Sequence, residues 1–208
     1  MKRLLWILFA IFSISIGLYP MVYLVMYDTE IGLLGTKSQE LLSDFFWNLG
    51  FYIHIVFGGI ALLVGWIQFN QNVRTKYLSF HKTIGRFYVI SALLGALAGF
   101  YLGFHATGTW LTSLGFICLG VVWFGTTFAA YIHILRKNLQ AHQKMMTYSY
   151  AACWAAVTLR IWLPFLNIVF SDFVVAYTIV AWLCWVPNLG VAWWINKRRS
   201  LCLSDAVL

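Results

Sequence analysis

The stretch TSLGFICLGVVWFGTTFAAYIHIL, residues 112–135, carries no charged side chain. About 20 apolar residues in a helix suffice to cross the hydrocarbon core of a bilayer. Further apolar runs of spanning length occur on both sides of it, and the complete set is roughly Leu4–Met26, Trp47–Phe69, Phe87–Phe104, Thr112–Leu135, Thr147–Phe170 and Phe173–Ile195. The sequence therefore predicts an all-α fold, a single bundle of six transmembrane helices that occupies residues 1–208.

The composition of the whole chain points the same way. It is 62% hydrophobic and 10% charged, with a mean hydropathy of +0.81, whereas a soluble domain has about 25% charged residues. A soluble enzyme and a disordered chain are therefore excluded. The net charge of +8 does not indicate nucleic acid, because the basic residues lie in short gaps between apolar runs. We expect the lipid bilayer to be the main partner, with no nucleic acid.

The basic residues mark one side of the membrane. Twelve of the fourteen lie at the N-terminus, between spans two and three, between spans four and five, and after span six: Lys2, Arg3, Arg74, Lys76, Lys82, Arg86, Arg136, Lys137, Lys144, Lys197, Arg198 and Arg199. The other loops carry Lys37 with the acids Asp28, Glu30, Glu40, Asp44 and Asp172. Because Lys and Arg accumulate in cytoplasmic loops, both termini are predicted to be cytoplasmic. The first apolar run has no small-x-small cleavage site and is predicted to be a retained helix.

Two ionisable residues lie well inside the predicted spans. His54 is roughly 10 Å and Arg160 roughly 15 Å below the outer ends of their helices, at about 1.5 Å per residue. No Asp or Glu lies inside any span, so we expect both side chains to line one polar cavity that opens outward and holds an anion, a ligand oxygen or water. Three residues would edge this cavity: Asp44, His105 and Asp172. The alternative is a structural Arg160 bonded to backbone carbonyls near Pro164.

A second group of polar residues lies at the predicted inner side. His81 and His142 immediately precede spans three and five at the same depth. If these two helices are neighbours, we expect the histidines to form one site with Tyr88 and Met146. Each histidine could instead be a helix-start residue among lipid headgroups. Two histidines near helix ends are secondary candidates: His105 and His133.

Helical periodicity places these residues on stripes of small and polar side chains. His142 and Arg160 are 18 residues apart, which is five turns of a helix. On helix three, glycines that include Gly95, Gly99 and Gly103 share the face of His81. We expect these faces to point inward, so that helices two to five form the functional core and helices one and six are peripheral. The alternative interpretation of the glycine stripe is close helix packing alone, which also requires small residues at this spacing.

Two segments carry a resemblance to a known family: LSFHKTIGRFYVISALLGALAG (78–99) and HQKMMTYSYAACWAAVTLRIWLP (142–164). They resemble a family of bacterial predicted membrane proteins of unknown function, over about residues 50–165. The matching residues are His54, Gly58, Gly65 and Gln68, then His81, Gly85, Arg86 and Tyr88, and finally His142, Met145 or Met146, and Thr158-Leu159-Arg160. The resemblance implies a bacterial cytoplasmic membrane location and adds Arg86 to the secondary candidates. It implies no settled activity.

The layout is more distantly similar to cytochrome b561-like dihaem proteins, which have six helices with histidines on the central four. That similarity implies haem b held by histidines, although the axial histidines of those proteins lie within helices whereas His81 and His142 stand at helix starts. Copper is the other possible cofactor, because imidazole binds copper as well as haem iron. On either reading, the candidate metal ligands are His54, His81 and His142.

Three classes of function remain open. The first is a redox or metal-binding protein, with a quinone or another redox partner. The second is a small transporter or proton- or anion-handling protein built around His54 and Arg160. The third is a membrane assembly or interaction factor without catalysis. Whether the protein is an enzyme and whether it forms a homo-oligomer both stay open.

Overall fold

The computed structural model describes residues 2–26 and 34–204, and these residues form helices and short connections. The α-helices are α1 (Lys2–Leu18), α2 (Pro20–Met26), α3 (Gln39–Ser43), α4 (Phe45–Gly65), α5 (Gln71–Lys76), α6 (Leu78–Gly103), α7 (Trp110–Leu135), α8 (Leu139–Cys153), α9 (Ala155–Phe170), α10 (Phe173–Leu183) and α11 (Val186–Ser204). Short 3₁₀ helices cover Leu34–Thr36 and Trp66–Phe69. Asp28 and Glu30 of the predicted outer loop lie outside the described residues.

Six segments of the described chain are helical, long and apolar enough to cross a membrane, which confirms the predicted fold class. They run Arg3–Val25, Phe45–Phe69, Leu78–Gly103, Trp110–Leu135, Leu139–Phe170 and Phe173–Ser200. We call them spans one to six. Their outward surface is largely apolar and exposes residues such as Leu5, Ile90 and Val121, as a surface that faces lipid requires.

The helices of spans three and five begin earlier than the apolar runs do. They start at Leu78 and Leu139, well before the predicted limits at Phe87 and Thr147. The intervening residues are basic and amphipathic, so hydropathy does not count them, yet they continue the helix. At α8 the side chain of Asn138 accepts a hydrogen bond from the backbone N–H of Ala141 at 3.0 Å and caps the helix start. His81 and His142 consequently lie in the first turn of their helices.

Three of the spans are interrupted helices. Span one breaks at Tyr19, and Pro20 is the first residue of α2, a position where its missing N–H costs nothing. Span five breaks at Trp154. Span six breaks between Leu183 and Val186, because Pro187 has no N–H to donate to the carbonyl of Leu183.

The central four spans form a ring. Helix α4 packs along α6, α6 along α7, and α7 along α8, and α4 also touches α8. Buried hydroxyls cross the middle of the ring: Tyr88 and Ser149 are 2.8 Å apart, and Ser149 and Thr127 are 2.6 Å apart. Spans one and six pack outside it, with α1 against α4, α10 against α7 and α9, and α11 against α8.

The glycines of span three serve two purposes. At Gly95 a Cβ atom would lie 3.2 Å from the backbone nitrogen of Gly58, and at Gly103 it would lie 2.8 Å from Ile117. These two positions allow helices to approach closely, as the packing interpretation predicts. At Gly99 a Cβ would lie 2.8 Å from the imidazole of His54. That glycine therefore makes room for a polar side chain.

Candidate functional site

A cavity of about 770 Å³ lies in the half of the bundle that the charge pattern predicts to be outer. All six spans contribute to its wall, and Leu34 and Lys37 lie at its loop end. Ligand sites usually have volumes of about 300–1,000 Å³. The wall includes both His54 and Arg160, so the structure brings together the two residues that the sequence predicts to share a cavity. We refer to it as the His54 cavity.

The imidazole of His54 has a fixed orientation. Its Nδ1 lies 2.8 Å from the carbonyl oxygen of Gly95 on the neighbouring span. Because a carbonyl only accepts, Nδ1 carries the proton and donates it. The other ring nitrogen, Nε2, has no hydrogen-bond partner among the described residues, since the bond from Nδ1 is the only one that the His54 side chain makes there. A neutral imidazole thus offers a lone pair from a wall of the cavity.

The guanidinium of Arg160 is held from two sides. Its Nη1 donates to the carbonyl of Ala156 at 2.9 Å, and its central carbon lies 4.4 Å from the centre of the Tyr19 ring. The bond to Ala156 is the only hydrogen bond that the Arg160 side chain makes within the described chain, although a guanidinium has five N–H donors. The backbone carbonyl of Arg160 is a further polar group here, because Pro164 has no N–H to donate to it.

Several other polar atoms on the wall also lack partners. The indole Nε1 of Trp47 and the amide Oδ1 of Asn167 are buried and make no hydrogen bond to any described residue. Buried polar groups are normally paired. At the loop end, the Lys37 ammonium donates to the carbonyl of His105 at 2.6 Å, and burial lowers the pKa of Lys37 to about 8. The His54 cavity therefore carries positive charge together with unpaired donors and acceptors.

The three residues predicted to edge the cavity do not line it. Asp44, His105 and Asp172 are not among its described lining. Both carboxylates instead cap helices, because Asp44 accepts from the N–H of Trp47 at 2.6 Å and Asp172 accepts from that of Val174 at 2.7 Å. A carboxylate that caps a helix start already has its donors there. Within the described chain, Lys37 holds the rim position instead.

Spans one and six are not merely peripheral, contrary to the prediction. Span one supplies Tyr19 and Tyr23 to the cavity wall, and span six supplies Tyr177 and Cys184. Ser13 of span one is fully buried and receives hydrogen bonds from the core at 3.0 Å. Tyr19 and Tyr23, spaced four apart in the sequence, were the available signal for span one. Their apolar neighbours concealed it.

The second pair of histidines lies near the other end of the bundle. His142 donates from Nδ1 to the carbonyl of Ala130 at 2.8 Å. The imidazoles of His81 and His142 are close enough to interact electrostatically, although α6 and α8 each pack more extensively against α7 than against each other. Nδ1 of His81 is buried and has no hydrogen-bond partner among the described residues. That the two histidines form one site stays a prediction.

The residues predicted to complete that pair have structural neighbours. Tyr88 is fully buried and forms its hydrogen bond with Ser149 deeper in the ring. Met146 is half-buried and packs against the central core.

The secondary candidates also have structural surroundings. His105 packs beside Tyr101, with ring centres 5.0 Å apart. His133 accepts from Asn138 with its backbone carbonyl, and Arg86 is exposed.

The three candidate metal ligands do not form one centre. His54 contacts Gly95 of α6. His81 lies on α6 as well, 14 residues before Gly95, which is roughly 21 Å along the helix at about 1.5 Å per residue. Within residues 2–26 and 34–204, no three His, Cys, Asp or Glu side chains cluster closely enough to hold a metal ion.

Comparison with known proteins supplies the family. Residues 51–196 match the model of a family described as predicted membrane protein, DUF2306. The chain belongs to the DUF2306 family. The matched residues of this DUF2306 protein include His54, His81, His142 and Arg160. No curated protein and no solved structure matches the chain.

Proposed function

We propose that this DUF2306 protein is a membrane redox protein that binds haem in the His54 cavity, where His54 would hold the iron. The observation that carries the proposal is the hydrogen bond from His54 Nδ1 to Gly95, which leaves Nε2 for a ligand beside Arg160. Metal-binding histidines commonly donate their second ring nitrogen to a carbonyl, which fixes both tautomer and orientation.

The donor set favours haem over a bare copper ion. A copper site needs about three protein ligands, and no such cluster occurs among the described residues. Haem supplies four ring nitrogens and needs only axial ligands from the protein. Its two carboxylate side chains require positive or N–H-donating partners; Arg160 and Lys37 would provide the charge, and the unpaired Trp47 N–H would provide a further donor. Haem bound in this cavity would supply one-electron transfer.

Each residue of the cavity has a distinct task in this proposal. His54 holds the metal from a rotamer fixed by Gly95, and Gly99 leaves the space that the imidazole fills. Arg160 is steadied by Ala156 and Tyr19, so its remaining N–H groups are oriented before a ligand arrives. Apolar side chains from all six spans line the cavity, and surroundings of low polarity strengthen each of these charged contacts.

The proposal is tested by the absorption spectrum of the purified protein, oxidised and then reduced with dithionite, together with the haem-to-protein ratio. We expect a spectrum of protein-bound haem that changes on reduction. His54→Ala should lose the haem, whereas the matched variant His133→Ala should keep it, because His133 lies outside the cavity wall. A protein that is colourless after expression with added haem precursor contradicts the proposal.

The same spectra address the second histidine pair. His142 has the same Nδ1-to-carbonyl hydrogen bond as His54, so its Nε2 is also the nitrogen left for a ligand. If His81 and His142 hold a second haem, each single alanine variant should remove about half of the absorbance while the His54-dependent half remains. An unchanged spectrum in both variants would show that the pair binds no haem.

A second candidate function is anion or proton handling around His54 and Arg160. It is favoured by the breaks in spans one, five and six, since discontinuous helices are typical of transporters. It is also favoured by a cavity with cations and no described carboxylate. This function predicts a colourless protein whose reconstituted vesicles take up a small anion, with uptake lost in Arg160→Gln and retained in Arg86→Gln.

The location follows the same reasoning. We propose that the protein lies in the bacterial cytoplasmic membrane with both termini in the cytoplasm. The support is the segregation of basic residues to one set of loops. In this orientation the His54 cavity lies in the outer half of the membrane.

A further inference from the structure

A second pocket, of about 510 Å³, lies at the end of the bundle away from the His54 cavity. It is formed where the beginning of α8 meets the last turns of α11. Three basic side chains line it: Lys144, Lys197 and Arg199. We refer to it as the basic pocket. Neither the redox proposal nor the DUF2306 description uses it.

The basic pocket is held together by specific contacts between its two helices. Arg199 donates from Nη1 to the hydroxyl of the buried Thr147 at 3.1 Å. Asn196 donates to the backbone carbonyl of Lys144 at 3.3 Å. The guanidinium of Arg199 is therefore fixed at the wall, whereas the ammonium groups of Lys144 and Lys197 are exposed.

Within the described chain, the positive charge of the pocket has no acidic partner. The described carboxylates, Glu40, Asp44 and Asp172, all lie in the segments that connect spans at the opposite end. The first turns of α8 also line the pocket, and a helix start presents a partial positive charge and N–H groups, of which the Asn138 side chain caps that of Ala141. An anion would satisfy both the cations and the helix start.

The surroundings of the pocket are those of a membrane interface. Trp193 on its wall and the neighbouring Trp194 are exposed, and the cations of Lys197 and Arg198 lie 5.0 Å and 4.0 Å from the centres of these rings. Leu139 is exposed at the start of α8. Exposed tryptophans beside basic residues are typical of the boundary between headgroups and acyl chains. An occupant with a charged head and an apolar tail fits this position.

We propose that the basic pocket binds the phosphate headgroup of an anionic phospholipid. Basic pockets between transmembrane helices bind such headgroups through the same combination of charge and interfacial aromatics. The phosphate would contact Lys144, Lys197 and Arg199, and the acyl chains would lie along the apolar surface beside Trp193.

The test measures lipid binding to delipidated protein by native mass spectrometry. The probes are short-chain phosphatidylglycerol, short-chain phosphatidylcholine and inorganic phosphate, each titrated separately. Each basic residue near a membrane surface contributes about fivefold to anionic lipid binding. The variant Lys144→Gln/Lys197→Gln should therefore bind phosphatidylglycerol roughly 25-fold more weakly. The control Lys82→Gln/Arg86→Gln removes the same charge from exposed positions of span three and should bind like the unmodified protein.

Three outcomes would overturn the proposal. The unmodified protein could bind phosphatidylglycerol and phosphatidylcholine equally, which would exclude a role for the anionic headgroup. The two double variants could lose affinity equally, which would indicate general charge attraction. Inorganic phosphate could bind as tightly as phosphatidylglycerol, which would identify a soluble anion as the occupant. The comparison of lipids on the unmodified protein needs no variant and holds even if a variant folds poorly.

Discussion

At the scale of single residues, Arg160 carries the clearest energetic demand. An arginine at the centre of a membrane helix costs about 2.5–3.5 kcal/mol on insertion scales. Its contact with the Tyr19 ring returns about 0.5–2 kcal/mol, and its hydrogen bond to Ala156 satisfies one N–H group. A bound anionic group would satisfy the others, and it would do so within the same cavity as His54.

Arg160→Lys should weaken ligand binding although it keeps the charge. Lysine lacks the planar fork of N–H groups that contacts two oxygens of a carboxylate. Loss of one charged hydrogen bond corresponds to about tenfold or more in affinity. Titration of the haem-free protein with haem measures the change, and Arg86→Lys, an exposed site, is the control. Equal affinity of the unmodified protein and Arg160→Lys would show that only the charge matters.

Lys37 should make ligand binding depend on pH. Its pKa is about 8 in the folded protein, lowered by burial, so the ammonium is charged below pH 8 and neutral above it. The affinity for an anionic ligand should fall as pH rises from about 8, and the bound anion itself shifts this fall upward. Lys37→Arg should remove the dependence because arginine stays charged. A fall that persists unchanged in Lys37→Arg would assign it to another group.

At the scale of the elements, the glycines of span three set the distances between helices and the position of His54. Gly95 and Gly99 are one turn apart on the same face. A Cβ at Gly95 would meet backbone, whereas a Cβ at Gly99 would meet the imidazole at 2.8 Å. The same stripe thus supports packing at one position and a functional side chain at the next.

Gly99→Ala should displace His54 without unfolding the bundle. The added methyl group would overlap the imidazole and break its hydrogen bond to Gly95. Loss of such an orienting contact typically costs 10–100-fold in metal affinity. Gly125→Ala is the matched control, because its Cβ would meet no neighbouring group within 4 Å and Gly125 lies outside the cavity wall. The haem-to-protein ratio of both variants is the measurement, and an equal ratio would contradict this role of Gly99.

At the scale of the whole molecule, the arrangement of charge predicts the topology. Glu40→Cys and Gln140→Cys place single exposed thiols at opposite ends of the bundle, in a background where the tail residue Cys202 is replaced by Ser. A membrane-impermeant maleimide added to intact cells should label the Glu40→Cys protein and not the Gln140→Cys protein. The reverse pattern would invert the orientation.

The sequence predicted the spans and the polar stripes because both follow from simple periodicities. Apolar length identifies a helix that crosses a membrane, and the rarity of charge inside it isolates His54 and Arg160. The starts of α6 and α8 were missed because their first turns are basic, although Asn138 caps α8 in the usual way. The role of Lys37 could not be predicted, since it depends on how a loop folds over the bundle.

The account depends most on His54 as a metal ligand, and His54→Gly tests this directly. The glycine variant leaves a space where the imidazole stood, and free imidazole can enter it. Haem binding to the purified variant is followed by absorption with and without added imidazole. We predict that the variant alone binds no haem and that imidazole restores both binding and the spectrum of the unmodified protein. Haem that binds equally well to His54→Gly without imidazole would contradict the account.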